Sequence, residues 1–212
     1  MTTTFILVRH AAHDRLGQFL AGRTTDVSLG EAGRKQAERL AAQLAREGVA
    51  SIYTSPRKRT NETAGAIAAA AGLGQVTRAE ALDEVDFGAW SGKTFETLHS
   101  DSLWRQWNSM RSRVRAPGGE TMSDVQRRVT QFVETLAKDH DGRKIALVSH
   151  ADVIKALVCH VLGLSLDAWP RFEIAPASVS AVAASGGDMK LLMLNREVPE
   201  HDETAHLLTA RR

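Results

Sequence analysis

The chain has 212 residues, of which 43% are hydrophobic and 25% are charged, and its formal net charge is only +2. This length suits one domain with a sizeable core, and the near-neutral charge balance argues against nucleic acid or an anionic membrane as a partner. The apolar runs are too short to span a bilayer, the start lacks the features of a secretory signal, and the single cysteine excludes an internal disulfide. We therefore expect a cytoplasmic protein.

The first third of the chain predicts alternating strands and helices. Residues 4–9 form a continuous apolar run, which is typical of a strand buried on both faces, and residues 30–47 have helical spacing. A second strand is predicted at 49–55. A second helix, 56–72, follows with Ser55 as its N-cap and proline at its first position.

The middle of the chain is less regular. Residues 75–92 read as a strand that fades into an acidic, glycine-containing loop, and residues 94–113 are predicted to be helical. A loop at 115–120 precedes an amphipathic helix at 121–138. Residues 143–150 then repeat the apolar pattern of a buried strand.

The last part of the chain predicts a helix and a hairpin. A helix at 151–163 precedes two strands, 178–184 and 189–195, joined by a Gly-Gly-Asp turn. Strands that alternate with helices indicate a single α/β domain, with a mostly parallel sheet, helices on both faces and an antiparallel edge strand from the hairpin. We assign residues 1–197 to this domain and expect residues 198–212 to form a flexible tail.

Three of the predicted strands end in polar side chains. Arg9 and His10 follow the first strand, Arg57 and Arg59 follow the second, and His150 follows the strand at 143–150. Parallel strands would bring these groups to one rim, where ligands bind in open α/β sheets. Two cations about 4 Å apart repel by about 4 kcal/mol at an effective dielectric of about 20, so their clustering indicates an exogenous anion such as phosphate. The alternative is that each group is an ordinary loop or surface residue.

Four motifs, in chain order, resemble those of the histidine phosphatase superfamily, the phosphoglycerate mutase-like proteins. LVRHA resembles the signature Leu-Val-Arg-His-Gly, and TSPRKRTNETA resembles Ser-Pro-x-x-Arg-x-x-x-Thr. LDEVDFGAWSG resembles Leu-x-Glu-x-x-x-Gly-x-Trp-x-Gly, and LVSHADVIKAL resembles Val-Ser-His-Gly-x-x-Ile-x-x-Leu. The resemblance implies the phosphoglycerate mutase-like fold and phosphoryl-transfer chemistry, without a cofactor or a metal.

By this resemblance, five residues form the catalytic set. His10 is the nucleophile, whose neutral imidazole becomes a phosphohistidine while its other nitrogen donates to a backbone carbonyl. Arg9 and Arg59 clamp the phosphoryl group, and His150 binds it as a hydrogen-bond donor. Glu84 is the proton donor for the leaving group.

The identity of the acid has close competitors. Glu84 lies among apolar residues, which would let its carboxyl group hold a proton near neutral pH. Asp83 and Asp86 are its rivals, and the plainer alternative is that all three acids solvate a loop.

Further residues are assigned to substrate binding with alternatives left open. Arg23 and Thr25 lie in a loop that flanks the pocket in family members, and Arg23 could read the substrate or be a surface group. Thr63 matches the family threonine and either orients the phosphate-binding groups or only packs. Arg57 occupies a position that the family pattern leaves free. The segment 104–115, rich in arginine and tryptophan, is either a covering helix or a lid.

The sequence departs from the family pattern near both histidines. Ala11 and Ala151 replace the glycines that usually follow, which should narrow the backbone there. His13 and Asp14 replace the polar pattern of mutase-like members, which weakens a mutase interpretation and raises the question of a metal.

We therefore predict a phosphomonoesterase of the histidine acid phosphatase type that acts on a small phosphorylated metabolite. A mutase that uses the same phosphohistidine is the main alternative. A non-catalytic phospho-ligand binding module and a metallohydrolase built on His10, His13, His150 and an acid are less favoured, because mere binding needs no proton donor and a metal would compete with the arginines. The sequence does not identify the metabolite, and it allows a homodimer.

Overall fold

The computed structural model describes residues 1–23 and 26–199 as a six-stranded sheet with helices on both faces. The strands are β1 (Thr3–Arg9), β2 (Ser51–Thr54), β3 (Val76–Arg78), β4 (Lys144–Ser149), β5 (Val179–Ser185) and β6 (Asp188–Arg196). The α-helices are α1 (Glu31–Leu44), α2 (Lys58–Ala71), α3 (Phe95–Ser100), α4 (Ser102–Ser109), α5 (Met122–Asp139) and α6 (Ala151–Val161). Short 3₁₀ helices cover Glu80–Leu82, Gly88–Trp90 and Leu166–Arg171.

The sheet has the order β3-β2-β4-β1-β5-β6. β4 pairs in parallel with β1 on one side and with β2 on the other, and β3 pairs in parallel with β2. In contrast, β5 pairs antiparallel with both β1 and β6. The predicted single α/β domain with an antiparallel hairpin edge is confirmed. Because β1, β2 and β4 are parallel, their carboxyl ends open on one rim, as the sequence predicted.

β1 is buried on both faces because its apolar residues alternate between two cores. Phe5 and Leu7 pack with residues of α5 and α6, whereas Ile6 and Val8 pack with residues of α1 and α2. Each fully buried side chain of this size contributes about 1.5–3 kcal/mol to folding. The central strand is therefore fixed firmly, and so is the position of the loop that follows it.

Two local predictions are wrong. Ser55 is not the N-cap of α2, because Arg57 takes that position and the helix begins at Lys58. The predicted helix 94–113 is two helices that break at Asp101, whose carboxylate accepts from the backbone N–H of Leu103 and caps α4. A side chain that can bond to nearby backbone groups ends one helix and starts another.

Two further predictions fall outside or almost outside the described residues. Thr25 is not among them, and of the predicted tail only Val198 and Pro199 are. Within the described part of the chain, no helix combines the length and hydrophobicity needed to cross a membrane.

Candidate active site

A cavity of about 310 Å³ lies beyond the carboxyl ends of β1 and β4. Its polar wall holds Arg9, His10, His13, Arg59, Glu84 and Asp152, and its apolar wall includes Leu16, Phe19, Leu20, Phe87, Phe95 and Ala151. The structure thus brings together four of the five residues of the predicted catalytic set as wall residues. The fifth, His150, lies behind them in contact with Arg59.

The loop that carries His10 is held by its backbone. The His10 N–H donates to the Ser149 carbonyl at 3.0 Å, which ties the end of β1 to the end of β4. The next N–H, that of Ala11, donates to Thr63 Oγ1 at 3.1 Å, and Thr63 itself donates to the Arg59 carbonyl. Thr63 therefore orients the loop and α2 through the backbone, and it does not line the cavity.

The same loop packs closely against the start of α1. Gln36 Oε1 accepts from the Ala12 N–H at 3.0 Å, and a Cβ at Gly33 would overlap the Ala12 carbonyl oxygen. The sequence analysis did not single out Gln36 or Gly33, because their contacts with Ala12 arise only when α1 packs against the loop. A reactive group is best held by such pre-formed backbone contacts.

The His10 ring is oriented for nucleophilic attack. Its Nδ1 lies 2.8 Å from the Ala11 carbonyl oxygen, a contact that places the ring proton on Nδ1 and leaves a lone pair on Nε2. Burial, and then the charges of Arg59 and Arg9, hold the pKa of His10 well below its usual range. The imidazole is therefore neutral at physiological pH, as the nucleophile must be.

Arg59 contacts three other residues of the predicted catalytic set, His10, His150 and Glu84. Its Nε donates to His10 Nε2 at 3.2 Å, and its Nη2 donates to His150 Nδ1 at 3.1 Å and lies 3.5 Å from Glu84 Oε2. The side chain is only 1% exposed, yet its Nη1 has no hydrogen-bond partner among the described residues. A buried N–H without an acceptor is costly, so this group is suited to an oxyanion that enters the cavity.

Arg9 presents a second such group. Its Nη1 donates to the Ile174 carbonyl at 2.6 Å, which fixes the guanidinium, while its buried Nε has no partner in the described part of the chain. Two guanidinium groups that each retain a free N–H beside His10 form a fork-shaped oxyanion site. The resemblance assigns the same two arginines to a phosphate clamp, and that assignment stays a prediction.

His150 is the N-cap of α6, so the N-terminal N–H groups of that helix lie at the same rim. Its Nε2 lies 2.8 Å from Ser55 Oγ, and Ser55 in turn donates to Asp83 Oδ1 at 3.2 Å. This chain places the ring proton on Nε2, so Nδ1 accepts from Arg59. The donor role predicted for His150 therefore needs a second proton on Nδ1, and Glu84 Oε2 at 3.4 Å is the acid closest to it.

Glu84 has the properties of a general acid. Burial raises its pKa to about 7, although the positive charge of Arg59 opposes the shift. Its rivals are placed differently, because Asp83 is bound by both Nε and Nη2 of Arg57 at 2.8 and 2.9 Å, and Asp86 accepts from the Gly88 N–H at 2.9 Å. Of these three acids only Glu84 lines the cavity.

Arg23 and Arg57 lie behind the cavity wall rather than in it. Arg23 donates to the Glu84 carbonyl at 2.6 Å and to Glu120 Oε2 at 2.7 Å, and Arg57 is bound by Asp83. Arg128, which the sequence analysis did not single out, also donates to the Glu84 carbonyl, at 3.2 Å. These arginines hold the backbone of the acid in place.

His13 is an additional imidazole at the cavity. Its ring stacks on that of His10 with centroids 6.1 Å apart, and its buried Nδ1 has no hydrogen-bond partner in the described ranges.

Of the two alanines that replace family glycines, Ala11 packs in the core rather than into the cavity, whereas the methyl group of Ala151 faces the cavity. Among the described residues, no group of three or more His, Cys, Asp or Glu side chains is placed to hold a metal ion.

Comparisons with known proteins show the family to which the chain belongs. The family model of the histidine phosphatase superfamily (branch 1) matches residues 5–197. Phosphoserine phosphatase 1 of Hydrogenobacter thermophilus is 35% identical over 194 residues, which cover 90% of this chain and 90% of the relative. A probable phosphoglycerate mutase of Yersinia pestis is 31% identical over 160 residues, or 74% of each chain.

The fold is similar to that of solved phosphatases. The structure of a mycobacterial glucosyl-3-phosphoglycerate phosphatase superposes with a TM-score of 0.82 at 26% sequence identity, over 93% of this chain and 100% of that one.

Proposed function

Because the chain belongs to the histidine phosphatase superfamily, we propose that it hydrolyses a small phosphomonoester through a phosphohistidine on His10. One observation carries the proposal: the unprotonated Nε2 of His10 contacts Arg59 and shares one cavity with Arg9, and each of these guanidinium groups keeps a buried N–H without an acceptor among the described residues. A nucleophile and an oxyanion clamp thus share one cavity with a protonatable acid, Glu84. The relatives that are named as phosphatases support the hydrolase assignment.

In the first step, the phosphoryl group binds between Arg9 and Arg59. A phosphoryl oxygen is a stronger acceptor than an imidazole nitrogen, so the Nε–H of Arg59 moves to it and the lone pair of His10 Nε2 becomes free. Nε2 attacks phosphorus, a P–N bond forms and the P–O bond to the leaving group breaks. Glu84 gives its proton to the leaving oxygen, and the alcohol departs.

In the second step, the roles reverse. The Glu84 carboxylate takes a proton from a water molecule, whose oxygen attacks the phosphorus of the phosphohistidine. The P–N bond breaks, its electron pair returns to His10 Nε2, and inorganic phosphate is released. The arginines stabilise the charge on the equatorial oxygens in both steps.

Release of inorganic phosphate from p-nitrophenyl phosphate tests the proposal. We expect turnover that persists in excess chelator, because the clamp is made of guanidinium groups. The same assay with a phosphoglycerate should yield free phosphate rather than an isomerised phosphoglycerate. Isomerisation would support the mutase alternative, no turnover would contradict the proposal, and loss of turnover in chelator would favour the metallohydrolase.

The pH dependence of kcat/KM tests the role of Glu84. The acid must be protonated in the free enzyme, and its pKa is about 7, so kcat/KM should fall as the pH rises through that value. The pKa of His10 is lowered, so the nucleophile stays neutral on the acidic side of this range. Glu84→Gln should remove the alkaline limb and slow the hydrolysis of an alkyl phosphate by about 10²-fold or more.

The leaving group provides an internal control for this prediction. p-Nitrophenolate departs without protonation, so Glu84→Gln should lower kcat/KM, which reports formation of the phosphohistidine, far less for p-nitrophenyl phosphate than for an alkyl ester. The exposed Glu134→Gln is the matched variant and should leave both rates unchanged. An alkaline limb that survives in Glu84→Gln would assign the proton to another group.

A substrate-reading role for Arg23 and Thr25, a donor role for His150, a cytoplasmic location and a homodimer remain predictions. The placement of Arg23 supports a role in holding Glu84 rather than in binding substrate.

A further inference from the structure

A second cavity, of about 670 Å³, opens beside the catalytic one. We call it the aromatic annex. Its apolar wall consists of Leu20, Phe87, Phe95, Trp104, Ala151 and Trp169. All of these except the two tryptophans also line the catalytic cavity, so the two spaces share one wall. Whatever is attached to a phosphoryl group on His10 can therefore extend into the annex.

The aromatic wall is held by packing beneath it. Trp104 is 6% exposed and stacks on Trp107 with ring centroids 5.4 Å apart, while Trp90 meets it edge-on at 5.2 Å. On the other side, Trp169 Nε1 donates to the Asn108 carbonyl at 3.1 Å. These contacts fix the ring planes, so the annex offers a pre-formed apolar surface.

Arg111 does not offer a free charge to a ligand in the annex. Its guanidinium lies between the rings of Trp107 and Trp169, with its central carbon 4.0 and 3.5 Å from their centroids. Its Nη1 also forms an ion pair with Asp152 Oδ1 at 2.5 Å. The charges of this pair therefore balance each other, although the buried Nε of Arg111 has no hydrogen-bond partner among the described residues.

Lys155, the other buried cation at the annex, is engaged as well. Its Nζ donates to the Trp169 carbonyl at 3.1 Å and lies 3.5 Å from Glu173 Oε2. A substrate carboxylate would have to displace these contacts to reach Lys155, and a substrate ammonium group would have to share Asp152 with Arg111. Polar groups that bind without matched partners lose their hydration without compensation.

We propose that the annex binds the non-phosphorylated part of the substrate and selects esters whose leaving group carries an apolar, flat ring. The inference rests on the proposed function, because it assumes that the phosphoryl group sits on His10. It separates this chain from its relative named phosphoserine phosphatase, since the head group of phosphoserine carries both a carboxylate and an ammonium group. Stacking and burial against Trp169 and Phe95 provide the selectivity.

The test compares 2-phenylethyl phosphate with ethyl phosphate and with O-phosphoserine. The first two esters release primary alkoxides of similar basicity, so the ratio of their kcat/KM values reports ring binding rather than leaving-group chemistry. We expect this ratio to be about tenfold or more in the wild type, with phosphoserine slower than the phenylethyl ester. Trp169→Ala and Phe95→Ala should each lower the ratio. Leu192→Ala, which removes an apolar side chain that is 53% exposed on β6, should not change it.

A binding measurement guards against variants that fail to fold. Wild-type inhibition by 2-phenylethylphosphonate should be stronger than inhibition by ethylphosphonate by a similar factor. A kcat/KM ratio near one, equal inhibition by the two phosphonates, or a preference for phosphoserine would overturn the inference. If those results came with turnover that depends on His10, the proposed function would still stand. Loss of that dependence would instead remove the proposed function.

Discussion

His10→Ala should lower kcat for p-nitrophenyl phosphate by about 10⁴-fold or more, because it removes the nucleophile that forms the covalent intermediate in the proposed mechanism. The ring is buried, but it borders an open cavity that water can fill once the imidazole is gone. The melting temperature should therefore change by only a few degrees, as for a loss of about 1 kcal/mol in a domain of this size. Initial rates and thermal unfolding of the same preparation measure both effects.

His160→Ala is the matched control for this variant. His160 is an exposed histidine near the end of α6, and its replacement should leave kcat and stability unchanged. If His10→Ala retained activity within about tenfold of the wild type, another group would have to be the nucleophile.

Arg59→Lys should lower kcat/KM by about 10³-fold or more, although it preserves the charge. One guanidinium contacts His10, His150 and Glu84, and a single ammonium group cannot span these three positions. Replacement of the guanidinium by an ammonium group also removes the buried Nη1 N–H of Arg59, which has no partner among the described residues and is available to an oxyanion. We expect both kcat and kcat/KM to fall, because the clamp acts in the transition state as well as in binding.

Lys58→Ala provides the control for Arg59→Lys. Lys58 precedes Arg59 on α2 but is exposed, so its loss should leave the rate unchanged. A rate for Arg59→Lys close to that of Lys58→Ala would show that only the positive charge at this position matters, and the fork geometry would not be needed.

The sequence predicts the placement of the catalytic groups because that placement follows from strand polarity. Apolar runs identify β1 and β4, and the residues that follow parallel strands must meet at one rim, which is where His10 and His150 lie. The neutral state of His10 was implied by the resemblance alone, and the structure supplies its physical cause, because burial and the charges of Arg59 and Arg9 lower the pKa of the ring.

The direction of the supporting side chains could not be predicted in this way. The resemblance assigned Arg59 to the phosphate, whereas Arg23 and Arg57 were left open as substrate-binding residues, and both of these point to acidic residues and backbone carbonyls behind the wall. Which of several arginines reaches the cavity depends on where Asp83 and Glu120 lie in the folded chain. Sequence spacing does not contain that information.

The aromatic annex was missed for a related reason. Its walls come from α3, α4, the start of α6 and the 3₁₀ helix at 166–171, which are distant in sequence. The tryptophans at 104 and 107 were noted, but the break at Asp101 that orients them depends on a cap within a segment read as one helix. The 3₁₀ helix that supplies Trp169 was not predicted.

The central claim is that the phosphoryl group passes through His10 Nε2. Rapid mixing with p-nitrophenyl phosphate, quenching in base and peptide mapping by mass spectrometry should find an acid-labile phosphoryl group on that nitrogen of His10. The same experiment on His10→Ala should find none. A phosphoryl group on any other side chain of the wild type would contradict the account.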